Sequence, residues 1–484
     1  MTRSILLLGP VILAACATSS ADFPGMSGNR EEIFATAPDS PTDWAALGVA
    51  GRAPTGDWLS QFDDPIMEDL VREALANSPT LESRAALVRA SRAAIRTARS
   101  QRLPSVDASV STGVTSNAFE VGGDIDRSTD GIYGLGLDAS WEADLWNRLG
   151  RGVAAAEADL AATEADLAAA ELSVAAQTAA AWINLNAALS QERVAVLTYE
   201  ARDRVRILTE RRFQRGLANA LDVRTARSAL AGAEAEIARR RQLSGEAARR
   251  LEILLGRYPA TEIEATSELP TLDALEAEGN PMLLLSRRPD IASAEARIVA
   301  AGLRAEQARL AMLPALRLTG SVSTSESEFA DMIDPERIAA RLVASLIQPL
   351  FTGGRLDAQR EAAVAQAESA IATYAGTALT AWGEVEDAIA ADHFLAQQED
   401  AQMRALEEAR LAEDLAERQY TSGTITVFNL IDAQTRRLTS ESQLVSARAS
   451  RATNRISYHL ALGGGLPVQA ASTATQAPQE SAAE

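Results

Sequence analysis

Residues of the types that bind metals or act as nucleophiles are scarce in this sequence. Its 484 residues include two histidines, His393 and His459, and one cysteine, Cys16. Neither histidine has a second histidine or a cysteine at the spacing that zinc sites use. The glycine run Gly463 to Gly465 follows a predicted helix and is explained by helix termination. Since no phosphate-binding loop or nucleophile motif appears either, we expect no metal, no cofactor and no enzyme activity.

The cysteine ends a sequence that resembles a bacterial lipoprotein signal. Arg3 precedes an apolar run, Ile5 to Leu13, that is too short to span a membrane, and Cys16 follows Leu13-Ala14-Ala15. The resemblance implies cleavage before Cys16 and a covalent lipid on that residue. Because Ala17 rather than Asp follows, it also implies sorting to the outer membrane. An ordinary signal peptide followed by a chance cysteine is the alternative.

The composition favours packed helices and argues against nucleic-acid binding. The formal net charge is −20, and all 46 basic residues are arginine. A protein that binds phosphates needs a basic surface to release counterions, so nucleic acid is not an expected partner. Aromatic residues make up only 4% of the chain, while alanine is abundant. Small side chains allow helices to approach each other closely, which indicates a helical body.

One uninterrupted helical pattern runs from Arg355 to Ser422. Apolar residues recur there at steps of four and three, the period of a helix that packs against another helix: Ile371, Ala375, Ala378, Trp382, Val385 and Ile389. At a rise of about 1.5 Å per residue, such a helix would be roughly 100 Å long. Tyr420 to Gly423 marks a sharp reversal, after which a second helix returns. A weaker copy of this hairpin fills Gly150 to Gly256.

Alternating patterns predict four β-strands between the helices. They are Val106 to Thr115, Tyr133 to Trp141, Leu316 to Val322 and Leu342 to Gln348. The first two have about the length that crosses a bilayer when a strand is tilted. The segment between them, Glu120 to Gly131, is rich in Gly and Asp, so we expect a loop there.

The order of the predicted elements occurs twice, about 210 residues apart. Each copy runs helix, strand, strand, long helix, tip, return helix. We therefore divide the chain into a signal peptide (1–15), an extended tether with little regular structure (16–57), a first repeat (58–256), a linker (257–286), a second repeat (287–463) and a disordered tail (464–484).

This duplicated pattern resembles the outer-membrane efflux channels of the TolC-like outer membrane factor family, in its lipoprotein branch. The likeness runs from about Trp58 to Leu462. Its most specific segments are Trp58 to Pro65, Arg287 to Ile291 with Ala294-Glu295, Pro349 to Phe351 with Gly353 to Arg355, and Tyr420 to Gly423 with Leu430 to Ala433.

The resemblance implies a mainly α-helical protein with a membrane β-barrel. Duplicated helical hairpins would form a periplasmic tunnel, and the four strands of each chain would complete a twelve-stranded barrel in a homotrimer. Open sheet edges are not tolerated in lipid, which supports completion by other copies. The implied function is passive conduction of small molecules through the outer membrane. The implied partners are a periplasmic adaptor, an inner-membrane pump of the resistance-nodulation-division type and outer-membrane lipid.

The resemblance also implies which residues form the periplasmic entrance. Phe428 and Asp432 are four apart on one helix face, and their positions resemble an apolar constriction and an acidic ring. Asp222 resembles a further acidic residue, whereas Asn429 stands where some relatives have a second Asp. A helix cap is the other interpretation of both aspartates. Adaptor contacts are expected at the hairpin tips, at Arg215, Gly216, Leu217, Tyr420, Gly423 and Thr424.

Two other functions are compatible with parts of the sequence. An outer-membrane duct for type I protein secretion would have the same architecture and a different pump. A coiled-coil lipoprotein scaffold would account for the helices but would have no use for four strands of bilayer length.

Overall fold

The computed structural model describes residues 23–24, 30–39, 43–46, 58–122, 124–275 and 280–464. Cys16 and the predicted tail beyond Gly464 lie outside the described residues. The helices are α1 (Arg30–Phe34), α2 (Pro65–Asn77), α3 (Pro79–Ser100), α4 (Arg148–Gln214), α5 (Ala220–Leu254), α6 (Pro281–Arg287), α7 (Pro289–Leu310), α8 (Arg355–Ser422) and α9 (Val427–Ala461). The strands are β1 (Ser105–Val121), β2 (Asp124–Ala143), β3 (Ala315–Glu326) and β4 (Ala339–Ile347).

The element order confirms the predicted mainly helical fold with duplicated hairpins and four strands. The order α3, β1, β2, α4, α5 recurs as α7, β3, β4, α8, α9. Helix α8 has the bounds that its uninterrupted pattern predicts, and the first return helix lies within one residue of Leu221 to Leu255. Among the described helices, none combines the length and the apolar composition needed to cross a bilayer.

One local prediction is wrong, and two segments contain short helices that the sequence did not predict. The expected loop from Glu120 to Gly131 is mostly strand, because β1 and β2 stay paired as far as Val121 opposite Asp124, and Gly122, at a φ of 65°, supplies the turn. The backbone ladder outweighs the low strand propensity of Gly and Asp. The expected tether contains α1, which buries Ile33. The expected linker contains α6, which begins at Pro281 after an Asn280 side chain that accepts a bond from a backbone N–H.

The chain forms two compact units. Among the described residues, one comprises 23–24, 30–37, 86–122, 124–164 and 293–376, and the other comprises 38–39, 43–46, 58–85, 165–275, 280–292 and 377–464. We call them the sheet unit and the tip unit, since the first contains the described strands and the second contains the ends of both hairpins.

The sheet unit contains a four-stranded antiparallel sheet in the order β1-β2-β3-β4. Paired residues share a face, so the register defines an apolar and a polar face. The apolar face carries Val106, Val110, Val114, Leu135, Leu137, Trp141, Leu316, Leu318, Val322, Leu342 and Leu346. The polar face carries Asp107, Ser109, Ser111, Asp138, Ser140, Arg317, Thr319, Ser321, Ser323, Arg341 and Ser345. Large apolar side chains are exposed on one face, for example Val110 at 75% and Leu342 at 79%.

The core of the tip unit includes Trp58, Leu59 and Phe62 of the segment Trp58 to Pro65. Trp58 is buried and stacks on the ring of His459 at 6.0 Å, and the Gln61 side chain hydrogen-bonds the same histidine at 3.0 Å. Burial, with a smaller contribution from Arg455, lowers the pKa of His459 to about 4. This histidine is therefore a neutral core residue.

The Arg288-Pro289-Asp290 motif fixes the end of α9. Arg288 is 9% exposed, and its Nη1 donates to Glu384 of α8 at 2.6 Å and to the carbonyl oxygen of Ala461 at 2.8 Å. Its Nη2 pairs with Asp290 at 2.7 Å. One buried guanidinium thus satisfies a helix-end carbonyl and two carboxylates.

Asp64 caps the N-terminus of α2 and also accepts a hydrogen bond from α4. Its Oδ1 accepts from the backbone N–H groups of Ile66 and Met67, both at 3.0 Å, and its Oδ2 accepts from the indole of Trp182 at 2.6 Å. The predicted N-cap, with Pro65 as the first helical residue, is confirmed.

We expect Asp64→Ala to lower the free energy of unfolding by about 2–4 kcal/mol, because the substitution removes a helix cap and leaves a buried indole N–H unpaired. Asp69→Ala is the matched control, since exposed Asp69 pairs with exposed Arg72 and such pairs contribute about 0–1 kcal/mol. Denaturant unfolding followed by tryptophan fluorescence measures both. Equal effects of the two substitutions would contradict the structural importance of Asp64.

Candidate functional site

The first hairpin tip is a short turn with exposed residues. Helix α4 ends at Gln214, and Gly216 adopts a φ of 73°, where glycine has no Cβ penalty. Leu217 is 64% exposed. Helix α5 then begins with a capping box, in which Asn219 accepts from the backbone of Asp222 at 2.9 Å and the Asp222 carboxylate accepts from the backbone of Asn219 at 3.1 Å.

The second tip has the same glycine turn but no side-chain cap at the start of its return helix. Helix α8 ends at Ser422, and Gly423 adopts a φ of 84°. The hydroxyl of Thr424 donates to the carbonyl oxygen of Gln419 at 3.0 Å, which satisfies one of the last carbonyls of α8. Helix α9 begins at Val427, after Thr426.

A hydrogen-bonded contact, which we call the tip latch, joins the two hairpin ends. It consists of Thr209 and Arg212 from α4 and Tyr420 from α8. The hydroxyl groups of Thr209 and Tyr420 lie 2.7 Å apart, and the Arg212 guanidinium lies over the tyrosine ring at 5.0 Å. Nη1 of Arg212 also donates to the carbonyl oxygen of Tyr420 at 2.6 Å and to that of Thr421 at 3.2 Å. The guanidinium therefore holds the last turn of the opposite helix.

An apolar cluster lies behind the tip latch. Its buried members are Val205, Ala226, Ala416, Tyr420, Val427 and Leu430, which come from all four hairpin helices. Tyr420 is only 3% exposed, so its side chain positions the tip and is not available as the surface contact expected from the sequence. The other expected tip contacts are all exposed: Arg215, Gly216, Leu217, Gly423 and Thr424.

Phe428 and Asp432 both lie exposed on the first turns of α9. Phe428 is 49% exposed although it is large and apolar. The Asp432 side chain is 61% exposed and pairs with Arg436, one turn further on, at 2.8 Å. This pairing reduces the net negative charge at the position, a feature that the spacing of Phe428 and Asp432 alone does not indicate.

The other two predicted entrance residues make local bonds. Asp222 serves the capping box of α5, which agrees with the helix-cap interpretation of this residue. Asn429 accepts a hydrogen bond from the Thr426 hydroxyl at 2.7 Å. An acidic ring that includes Asp222 stays a prediction.

A groove of about 490 Å³ with a mixed polar and apolar lining lies between α4, α5 and α9. Arg202 reaches across it to the hydroxyl of Thr435 at 3.1 Å, and burial lowers the pKa of this guanidinium. Further along, Gln191 and Ser442 exchange two hydrogen bonds of 2.8 and 2.6 Å. These contacts attach α9 to α4. Over the described ranges, no three His, Cys, Asp or Glu side chains cluster as metal ligands would.

Comparisons with known proteins give a consistent result. The Outer membrane efflux protein family matches residues 70–257 and 280–464. The pyoverdine export outer membrane protein OpmQ of Pseudomonas aeruginosa is 31% identical over 438 residues, 88% of this chain and 91% of the relative. The cation efflux system protein CusC of Escherichia coli is 27% identical over 409 residues, 84% and 88% of the two chains. The solved outer-membrane channel OprN has a TM-score of 0.79 at 27% identity, covering 89% of this chain and 99% of that one.

The fold and the hairpin tips thus define an outer-membrane efflux channel. The chain belongs to the Outer membrane efflux protein family. It is the outer-membrane component of an efflux system, as its resemblance to the TolC-like family implies. The relatives favour this function over the protein-secretion duct and the scaffold, and they are channel proteins rather than enzymes.

We expect Arg212→Gln to loosen the tip latch, because a neutral side chain cannot replace charge-assisted bonds to two carbonyls. Backbone amides at the end of α8 should exchange with deuterium at least about tenfold faster, as expected for a local opening that costs less free energy. Arg211→Gln, at the exposed neighbouring arginine, is the control and should leave exchange unchanged. Equal protection in both variants would show that the latch does not hold the tips.

Proposed function

We propose that three copies of this chain close a twelve-stranded barrel and conduct small molecules passively from the periplasm to the outside. The observation that carries the proposal is a four-stranded sheet with two open edges, one polar face and one exposed apolar face. Strands β1 and β4 each pair on one side only. In lipid, an unpaired backbone N–H or C=O costs several kcal/mol, so the edges favour pairing with further copies.

The two faces of the sheet support a water-filled interior. In a closed barrel, the apolar face would contact hydrocarbon, and the polar face of serine, threonine, aspartate and arginine would line the lumen. None of the lumen residues needs to make or break a bond with the transported molecule. The chain therefore needs no enzyme activity, and the energy for export comes from a pump.

The partners follow from the family and from the exposed tips. Members of the family work in tripartite systems with a periplasmic adaptor and an inner-membrane pump. We assign the adaptor contact to Arg215, Gly216 and Leu217 at the first tip and to Gly423 and Thr424 at the second. The pump would be of the resistance-nodulation-division type.

The names of the relatives support the transport of small molecules. OpmQ is described as a pyoverdine export protein and CusC as a cation efflux protein. These cargoes differ in charge and size, which supports a passive duct whose selectivity resides in the pump.

The proposed membrane attachment includes a lipid on Cys16. Its motif supports this assignment, and SilC, 26% identical over 455 residues, is described as a probable outer membrane lipoprotein. We expect the mature chain to begin at Cys16 with acyl groups on the thiol and the amino group, as mass spectrometry of the N-terminal peptide will show. An unmodified peptide that begins elsewhere would contradict the assignment.

The proposed gate is a ring of three Asp432 side chains next to a layer of three Phe428 side chains. Three carboxylates around a threefold axis would concentrate negative potential in a narrow opening and favour cations there. Arg436 offsets part of this charge, since it pairs with Asp432 in each chain. The apolar layer would keep water and ions out of the closed entrance.

We expect Asp432→Ala to weaken block by multivalent cations and Phe428→Ala to raise the closed-state conductance severalfold in planar bilayers. Arg436→Gln should strengthen cation block, because it removes the charge that offsets Asp432. Asp414→Ala and Phe394→Ala are matched controls: Asp414 also pairs with an arginine one turn away, Arg418, and Phe394 is also an exposed phenylalanine. If the Asp432 and Phe428 variants conduct and respond to cations as the parent does, the gate lies elsewhere.

A further inference from the structure

The internal duplication defines equivalent positions on the strands of the two repeats. A Leu-Pro dipeptide directly precedes both β1 and β3, so the first residues of these strands, Ser105 and Ala315, are equivalent. Within the hairpins, Ser105 pairs with Ser140 on β2, and Ala315 pairs with Ile347 on β4. The two hairpins therefore superimpose with Ser140 at the position of Ile347.

Side-chain contacts at the ends of the strands support this alignment of β2 with β4. One residue after Ser140, the indole of Trp141 donates to the carbonyl oxygen of Arg102 at 2.8 Å. One residue after Ile347, the amide of Gln348 donates to the carbonyl oxygen of Met312 at 3.0 Å. Each acceptor lies at the same distance in sequence before the first strand of its hairpin. The two contacts are thus copies of each other.

The entries to the long helices give the same alignment. Asn147 follows Ser140 at the spacing at which Gly354 follows Ile347. Both residues have a positive φ, 61° for Asn147 and 80° for Gly354, and each directly precedes its long helix, α4 or α8. The alignment therefore holds from the strands to the helices that follow them.

The contact between the hairpins shows how the second strand of one repeat pairs with the first strand of the other. Strand β2 pairs with β3, whereas β4 and β1 are the edges of the described sheet. The template consists of the pairs Leu135 with Thr324, Ala139 with Gly320, and Ala143 with Leu316. In a ring of copies, β4 has the same relation to β1 of the next copy as β2 has to β3. Replacing each template residue by its equivalent gives the register of that contact.

We propose that β4 pairs antiparallel with β1 of the next copy in this transferred register. Its central pair is Leu346 opposite Val110 of the next copy. The flanking pairs are Leu342 opposite Val114 and Leu350 opposite Val106. The proposal rests on the proposed barrel and specifies which residues meet at the boundary between two chains.

The side chains that the transfer brings together are compatible, although the transfer uses positions alone. Leucines meet valines on the apolar face, and on the polar face Ser345 lies opposite Ser111 of the next copy. A shift by one residue would place apolar side chains opposite polar ones along the whole contact. The nine residues of β4 all find partners within β1, at residues 109–117. No backbone group of β4 is then left without a strand beside it, as hydrocarbon requires.

The test is disulfide cross-linking of the full-length protein in isolated outer membranes, oxidised with copper phenanthroline and separated on non-reducing gels. The variant carries Ser345→Cys and Ser111→Cys. Directly opposite residues have Cα atoms about 4.5 or 5.5 Å apart, and both separations allow a disulfide. Ser345→Cys with Ser109→Cys, and Ser345→Cys with Gly113→Cys, are the matched controls for a register shifted by two residues, because diagonal neighbours are about 7–8 Å apart.

Two further pairs make the result independent of one variant. Leu346→Cys with Val110→Cys tests the same register at the adjacent pair, on the apolar face. Asp138→Cys with Ser321→Cys is the positive control for oxidation, because these residues pair within one chain at the equivalent place. The parent, which carries Cys16 alone, gives the background.

We expect covalent dimers and trimers from Ser345→Cys with Ser111→Cys and from Leu346→Cys with Val110→Cys, at least about tenfold more than from the shifted pairs. The Asp138→Cys with Ser321→Cys variant should form its disulfide within the monomer. Predominant cross-linking of a shifted pair would overturn the register. Absence of cross-links between chains, while the positive control forms, would overturn the pairing of β4 with β1.

Native mass spectrometry of the same preparations separates failure of the register from failure of the barrel. A mass of three chains without the expected cross-links would reject the register alone. A mass of one chain would reject the proposed assembly together with it.

Discussion

The need to satisfy backbone hydrogen bonds in a membrane is the constraint on which the rest of this structure depends. Within the part of the chain that the structure describes, β2 and β3 pair on both sides, whereas β1 and β4 each leave one row of N–H and C=O groups without a strand partner. Water would solvate those rows, but hydrocarbon does not. The exposed valine and leucine side chains on one face place the sheet in hydrocarbon. The same chain therefore carries a lipid-facing surface and two edges that lipid does not tolerate, and the proposed pairing with further copies would resolve the conflict.

The sequence segments that carry the family resemblance are explained by buried polar contacts that hold the fold, and not by a catalytic role. Asp64 caps α2 and holds the indole of Trp182. Arg288 satisfies the end of α9 and a carboxylate on α8. Each of these groups is costly to leave unpaired, so substitution is penalised beyond the loss of one bond. At the hairpin ends, Arg212 in the same way satisfies the carbonyl oxygen of Tyr420.

Periodicity was sufficient to predict the long elements and insufficient for the short contacts. Helix α8 was predictable because its 68 residues keep one helical pattern, and the strands were predictable from alternation. The continued pairing of β1 with β2 beyond Thr115 was not predictable, because Gly and Asp form strand there only through pairing with the neighbouring strand. Short helices α1 and α6 depend on local caps and on burial of single residues such as Ile33. The tip latch joins residues 208 and 211 positions apart, and no local pattern indicates such a pair.

The central claim is that several copies complete one barrel, and the mass of the purified assembly tests it most directly. Native mass spectrometry of the protein, extracted in mild detergent, should give the mass of three chains, with the strand content of the single chain retained in circular dichroism. A stable single chain with the same strand content would contradict the account, because its two open edges would then persist without partners.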